Sequence, residues 1–517
     1  MTQFVSARQA MEAIPDGATL AVGGFNGFGT PDELILALRD RFLETGKPKD
    51  LTVMKSVSVG DRGARGVSRI ALEGLLRRVI CSHVGLEPAT AKLIEENKCL
   101  AYMVPLGTMT ELYRAAAAGR PGVFTHVGLD TFIDPRLEGG KVNDLTRSEG
   151  AEISAVIEAG GRTCLFYPAI PVNACLIRGT YSDRKGNIVL SKEAMHGDQL
   201  EVAAATRNSG GTVIVQVEQV LDEDFDPRIV KLHHFMVDYV VTAKPENHLQ
   251  GYDVPEYRPE VAGECRKALS AIAPMPLNAR KVCGRRAALE LKPGSLINLG
   301  IGVPEAVAAV AAEEGISDHF TLSIESGVLG GVPLSGLGLG GTTNPEAIYK
   351  MADILNIYDG GGLDMAVLGM AEMDQQGNVN VSKFGGRVVG PGGFINIAQN
   401  TKTVIFTGTF TAGGLKETVA DGKLRILQEG KAVKFRNQVE QITFSGDYAI
   451  RTGKRVLVVT ERAVFRLTEK GLELTEIAPG MDLERDVLAR MEFRPAISPD
   501  LKEMDARIFT DALMGLQ

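Results

Sequence analysis

At 517 residues the chain is long enough for two hydrophobic cores, and its 44% hydrophobic and 23% charged residues are those of an ordinary globular protein. A formal net charge of -8 with no offsetting basic block argues against nucleic acid as a partner. No apolar stretch has the length of a membrane span and the N-terminus, Met-Thr-Gln-Phe-Val-Ser-Ala-Arg, lacks a signal-peptide core, so a cytoplasmic protein with no membrane partner is expected.

In chain order, a helix-like segment from Ser6 to Ile14 is stopped by Pro15-Asp16-Gly17. A short strand, Thr19 to Val22, then enters Gly23-Gly24-Phe25-Asn-Gly-Phe-Gly29. Thr30-Pro31-Asp32-Glu33 has the signature of a helix start, with threonine as cap, proline at the first helical position and Glu33 closing a capping box. The helix should run to about Leu43, followed by an apolar strand from Leu51 to Val59. Strand, glycine turn, helix and strand in this order predict a parallel α/β sheet.

The second half repeats the theme. Pro293-Gly294 through Gly300-Ile-Gly302-Val-Pro304-Glu305 mirrors Asp16-Gly17 through Pro31-Asp32, with a shorter loop. Asp183-Arg-Lys-Gly186-Asn187 is echoed by Asp374-Gln-Gln-Gly377-Asn378, each Gly-Asn reading as a hairpin turn or strand entry. Two landmarks repeated in the same order predict two related α/β domains with mainly parallel sheets, a duplicated fold, over residues 1–272 and 279–517. The seam is expected near Ala271-Ile-Ala-Pro274-Met-Pro276-Leu-Asn278.

Glu325 stands in Ser-Ile-Glu325-Ser-Gly327-Val-Leu-Gly330-Gly331, after the strand-like run Phe320–Ile324. One carboxylate at a strand end faces a glycine loop that backbone and ligand can approach closely. Gly23-Gly24-Phe25 and Gly390-Pro-Gly392-Gly393-Phe394 add two more glycine segments from distant parts of the chain. Three such turns and one acid suggest a large ligand and a covalent step at the carboxylate. Gly338-Leu-Gly340-Gly341 reads as a mobile segment shaping the pocket, and Glu372 as a structural acid.

Other chemistries find little support. His83, His126, His233 and His234 lack HExxH or paired-ligand spacing, so no metal site is expected. The cysteines, Cys81, Cys99, Cys164, Cys175, Cys265 and Cys283, form no CxxC pair and read as reduced, buried thiols. Ser326 lacks the Gly-x-Ser-x-Gly elbow of a serine hydrolase.

Asp16 through Pro31 resembles the N-terminal signature of family I coenzyme A transferases. The resemblance continues through Val127 to Gly140, Asn380 to Gly385, Gly390 to Phe394 and Thr411 to Leu415, so it covers in effect the whole chain. The layout is most similar to the propionate/acetate branch, with both subunit-like halves on one polypeptide. The family's nucleophile is a glutamate in Glu-Xaa-Gly-Xaa-Xaa-Gly, which here implies Glu325, carried by the second, beta-subunit-like half. Ile-Glu-Ser-Gly around it, where the succinyl-CoA:3-oxoacid branch has Ser-Glu-Asn-Gly, favours short-chain acyl groups.

By the same resemblance Gly390, Gly392 and Gly393 form the oxyanion and coenzyme A loop, with the amides of Gly392 and Gly393 as its oxyanion donors. Gly23, Gly24, Phe25 and Leu106 are assigned to the acyl pocket. Leu106 stands in Pro105-Leu106-Gly107 where the family often has a glutamine that helps bind the oxyanion. The implied substrates are acyl-CoA and small carboxylic acids, with the coenzyme A thioester a substrate and no permanently bound cofactor. A homo-oligomer, dimer or tetramer, with its site between the two domains is expected. The residues leave open a 3-oxoacid or 2-hydroxyacid CoA-transferase, an acyl-CoA hydrolase and a noncatalytic metabolite-binding protein.

Overall fold

The structure is a computed structural model and describes residues 1–268 and 274–516. The chain forms two compact units. One contains Met1–Lys267, Ile324–Asn356 and Gly385–Asn396; the other contains Ala268–Ser323, Ile357–Phe384 and Ile397–Gln517. The seam expected near Ala271–Asn278 lies partly outside the described residues.

The first unit is built on a wholly parallel sheet of eight strands. They are β1 (Gln3–Phe4), β2 (Thr19–Val22), β3 (Leu51–Met54), β4 (Leu76–Cys81), β5 (Leu100–Met103), β6 (Ala174–Arg178), β7 (Thr212–Val217) and β8 (Tyr239–Thr242). Their order across the sheet is β1-β8-β7-β6-β2-β3-β4-β5. Every residue of β2, β3 and β6 is buried. This is why these strands read as continuous apolar runs rather than alternating ones.

Three helices of this unit bear on the site: α1 (Asp32–Thr45), α2 (Leu106–Ala117) and α3 (Gln199–Asn208). The expected capping box at α1 does not form; Pro31 occupies the cap position without a side-chain hydrogen bond. Thr30 Oγ1 instead donates to Asn26 O at 3.4 Å, and the Glu33 carboxylate accepts from Asn247 Nδ2 at 2.7 Å. Tertiary partners have taken both capping groups.

The second unit has a mixed sheet: β9 (Leu296–Leu299), β10 (Thr321–Leu322), β11 (Met365–Gly369), β12 (Thr403–Thr407), β13 (Arg455–Val459), β14 (Ala463–Thr468), β15 (Gly471–Ile477) and β16 (Ala496–Glu503). The order is β10-β9-β11-β12-β13-β14-β15-β16, parallel up to β13, with β14 antiparallel to both neighbours. Its core gathers Val282, Ile297, Val307, Val310, Val367, Ile405, Leu457 and Val464.

The two units repeat each other bond for bond at the landmarks read from the sequence. Gly17 N donates to Lys49 O and Gly294 N to His319 O, in each case just ahead of the neighbouring strand. Gly23 N donates to Leu176 O of β6, and Gly300 N to Val367 O of β11. In the first Gly-Asn turn Asn187 N meets Asp183 Oδ1 at 2.8 Å; in the second Asn378 N meets Asp374 Oδ1 at 2.9 Å. Gly186 and Gly377 both take positive φ, +96° and +80°, where glycine avoids the Cβ penalty.

Beneath the loops at the carboxyl ends of β3 and β4, a fully buried ammonium, Lys55, pairs with Glu87 at 2.9 Å. Burial works against its charge, but Cys81 and Glu87 beside it raise its pKa above the ordinary value. Lys55→Met strands Glu87 in the interior and should cost about 3–5 kcal/mol in urea unfolding, with part recovered in Lys55→Met/Glu87→Leu. Nearby, burial pushes the Asp198 carboxyl from its ordinary 3.8 up to about 7, against a hydrogen bond from Ser56. The folded state therefore holds a proton that the unfolded chain has lost, and stability falls as pH rises from about 4 through about 7. Asp198→Asn should flatten that part of the Tm-versus-pH curve.

Candidate active site

The site is built where β3 and β4 end. Lys55 Nζ donates to His83 O at 2.7 Å and to Val57 O at 3.3 Å, lacing the loop after β3 to the loop after β4. Ser82 Oγ donates to Ser56 O, and Ser58 Oγ lies 2.7 Å from His83 Nδ1. The glycine loop from the second half of the sequence lies on this platform: Val84 N donates to Val389 O at 2.8 Å and Gly392 N to Ser82 O at 2.9 Å. Gly390 has φ +89°, and a Cβ there would stand 2.5 Å from Ser82 O and 2.9 Å from Met103 Sδ. No other residue fits.

Glu325 occupies a tight turn in which Gly327 N donates to Ile324 O at 3.0 Å and Ile324 N to Val328 O at 2.9 Å. The strand ahead of it is Thr321–Leu322, shorter than the run Phe320–Ile324. Ser326 Oγ donates to Gly340 O at 2.6 Å and pins the turn from below. The Glu325 side chain lies directly against Gly393: a Cβ on that glycine would be 3.1 Å from Cγ and 3.3 Å from Cδ and Oε1. The acid and the second-half glycine loop expected beside it thus meet in one place, within the first unit.

The first-half loop joins the same arrangement through Gly338–Gly341. Asn26 Nδ2 donates to Leu339 O at 2.7 Å, and Gly340 packs on the Phe25 ring so closely that a Cβ would be 2.7 Å away. Phe25 is therefore buried, at 1% exposure. Gly24 takes φ +128°, and a side chain on Gly23 would strike Gln199 at the start of α3. Leu106 opens α2 and is fully buried, while the next residue, Gly107, donates its N–H to Asn396 Oδ1 at 3.1 Å. Of the two amides assigned to the oxyanion, that of Gly392 is already given to Ser82 O.

Sequence reasoning missed several of these groups. Asn396 is a fully buried amide in the otherwise apolar run Phe-Ile-Asn-Ile-Ala. That mismatch is a readable sign of a built polar contact. Ser82, His83 and Ser326 carry no such sign. Glu372, read as structural, accepts from Asn380 Nδ2 and Glu440 N, both at 2.8 Å. Cys81, Cys99, Cys175 and Cys283 are free and buried, Cys164 is half-buried and Cys265 exposed.

A cleft of about 240 Å³ lined by Arg178, Lys192, Glu193, His248 and Tyr257 includes none of the expected site residues. Among the described residues no three His, Cys, Asp or Glu side chains cluster as a metal site would require, and no helix is long and apolar enough to cross a membrane.

Comparison with known proteins identifies the family. The family model "Coenzyme A transferase" matches residues 4–243 and 283–488. The caffeate CoA-transferase of Acetobacterium woodii is 45% identical over 522 residues, covering 100% of this chain and 99% of that protein. The acetate CoA-transferase YdiF of Escherichia coli K12 is 42% identical, covering 99% and 96%. The crystal structure of the acyl-CoA transferase YdiF apoenzyme from E. coli O157:H7 superposes with a TM-score of 0.94 at 41% identity, covering 100% of this chain and 98% of that one. A thioester complex of the same enzyme with CoA matches equally well, at a TM-score of 0.94. The chain belongs to the coenzyme A transferase family and is an enzyme of that class.

Proposed function

We propose that the enzyme moves coenzyme A between a short-chain acyl-CoA and a free carboxylic acid, with Glu325 as the covalent nucleophile. The observation that carries this reading is the seating of the Glu325 side chain on Gly393, at the mouth of strands where ligands gather. The Glu325 carboxylate attacks the acyl-CoA carbonyl, and loss of CoA thiolate leaves an acyl-glutamyl anhydride. The thiolate then attacks the glutamyl carbonyl, releasing the first acid and leaving a glutamyl-CoA thioester. An incoming acid reverses both steps and departs as the new acyl-CoA, so the kinetics are ping-pong.

A carboxylate is a weak nucleophile, so orientation and oxyanion stabilisation must supply most of the rate. The Gly393 N–H is the donor assigned here, since Gly392 is engaged by Ser82 and the Leu106 side chain has no hydrogen to donate. One such donor is worth about 3 kcal/mol to a transition state. Gly23, Gly24 and Gly390 bound the acyl and coenzyme A sides of this space. The relative named for caffeate supports a second reading for the acid, an aryl-substituted one, with the chemistry unchanged.

Incubation with acetyl-CoA or propionyl-CoA followed by borohydride should reduce a glutamyl thioester to an alcohol, a small mass decrease on the Glu325 peptide. Glu325→Gln should abolish the change and lower exchange by roughly a thousand-fold or more. Near-normal exchange in that variant would end the proposal. A panel of acetate, propionate, butyrate and caffeate as acceptors separates the two readings of the acid. Gly393→Ala places a methyl group against the carboxyl and should lower kcat by about a hundred-fold, the effect of an ångström-scale misplacement. Gly392→Ala, at φ +55° and without a close neighbour, should instead cost about 1–2 kcal/mol of stability and little rate.

A further inference from the structure

Beside Gly392 stands an imidazole to which the mechanism above gives no part. A Cβ on Gly392 would be 3.8 Å from His83 Cδ2, and one on Gly390 would be 3.0 Å from His83 Cα. The next residue along, Gly393, carries the Glu325 contact. His83 and Glu325 therefore flank two consecutive glycines of one loop.

The residue is fixed at its backbone and at its ring. Its carbonyl oxygen accepts from Lys55 Nζ at 2.7 Å, Nδ1 lies 2.7 Å from Ser58 Oγ, and Cδ2 faces the glycine loop. Ser58 Oγ accepts from Leu86 N at 3.4 Å; when its own hydrogen goes to Nδ1, the imidazole hydrogen sits on Nε2. Nε2 has no protein partner among the described residues, and the side chain is half-buried. Its open edge is kept by an exposed glycine: a Cβ on Gly85 would stand 2.8 Å from Cε1 and 2.9 Å from Nε2. Burial, and then the Lys55 ammonium, lower the pKa of this imidazole to about 3. An imidazole so lowered is neutral at neutral pH and can donate a hydrogen bond without serving as an acid.

We propose that His83 is a further substrate-contacting residue, its Nε2–H donating to the thioester carbonyl oxygen of the acyl-CoA brought to the Gly390–Gly393 loop. No bond to His83 forms or breaks; the N–H strengthens its hydrogen bond as negative charge grows on that oxygen under attack by Glu325. The inference rests on the reading of Glu325 as nucleophile. It adds a side-chain donor to a site in which Gly392 is engaged and the family's glutamine is replaced by Leu106.

The test uses His83→Phe, which keeps a ring and removes the donor, and His83→Gln, which restores an N–H near the Nε2 position. Gly85→Ala presses a methyl group onto the Cε1–Nε2 edge while leaving the histidine itself unsubstituted. The readouts are the single-turnover rate of borohydride-sensitive modification at Glu325 with acetyl-CoA, kcat/KM for exchange, and the thermal melt. His83→Phe should slow modification about a hundred-fold, the cost of one oxyanion donor, with the glutamine variant regaining at least about ten-fold. Gly85→Ala should slow the same step. Unchanged modification in His83→Phe, or equal losses in the Phe and Gln variants at an unchanged melt, would overturn the role of His83 while leaving Glu325 intact. No modification of the native enzyme would overturn the nucleophile, and this proposal with it.

Discussion

An ammonium group taken out of water costs several kcal/mol unless its protons are met, and Lys55 is met by His83 O, Val57 O and the Glu87 carboxylate. Those acceptors belong to the loops after two adjacent strands, so one charge sets the distance between them. Ser82 and Val84, fixed in this way, present the carbonyl and amide that hold Val389 to Gly392. Gly393 follows from Gly392, and Glu325 rests on Gly393. The position of the Glu325 carboxyl is thus inherited from Lys55 through three contacts, Lys55 to His83, Ser82 to Gly392 and Gly393 to Glu325, joined by peptide bonds.

The glycines of this enzyme serve packing and chemistry together. At Gly390 the backbone angle and the nearness of Ser82 O leave no room for any side chain, a purely structural demand. At Gly393 φ is ordinary, and what a side chain would strike is the carboxyl itself. Gly340 is a third case, where closeness to the Phe25 ring lets its carbonyl reach Ser326. A loop rich in glycine is therefore several constraints written in one letter.

The pattern of the fold was plain in the chain where periodicity and turn chemistry govern. Thr19–Val22 forms the strand that its apolar run and flanking glycines indicate, and both Gly-Asn turns close as their spacing implies. The strand from Leu51 stops at Met54 rather than Val59, because backbone groups beyond it bond outside the ladder: Asn26 N donates to Ser58 O at 2.8 Å and Val59 N to Glu87 Oε1 at 2.7 Å. Thr30 and Glu33 likewise left the cap for tertiary partners. Of the candidate site, Glu325 and the glycine loop that lies against it could be read as candidates because their motifs are local. Lys55, Ser82 and His83 could not, since each acts through partners tens to hundreds of residues away, and Asn396 shows only as an amide in an apolar run that does not name its partner, Gly107.

Glu325 and Gly393 are both supplied late in the chain, yet they complete a unit whose sheet is made of residues from the first half. During synthesis the eight strands of that sheet are all made before the carboxylate exists, and its seat is made later still. Loop closure over so long a separation is slow compared with local pairing. A nascent chain thus carries all eight strands of the sheet long before it carries Glu325, and only a chain extended to Asn396 holds every segment of that unit.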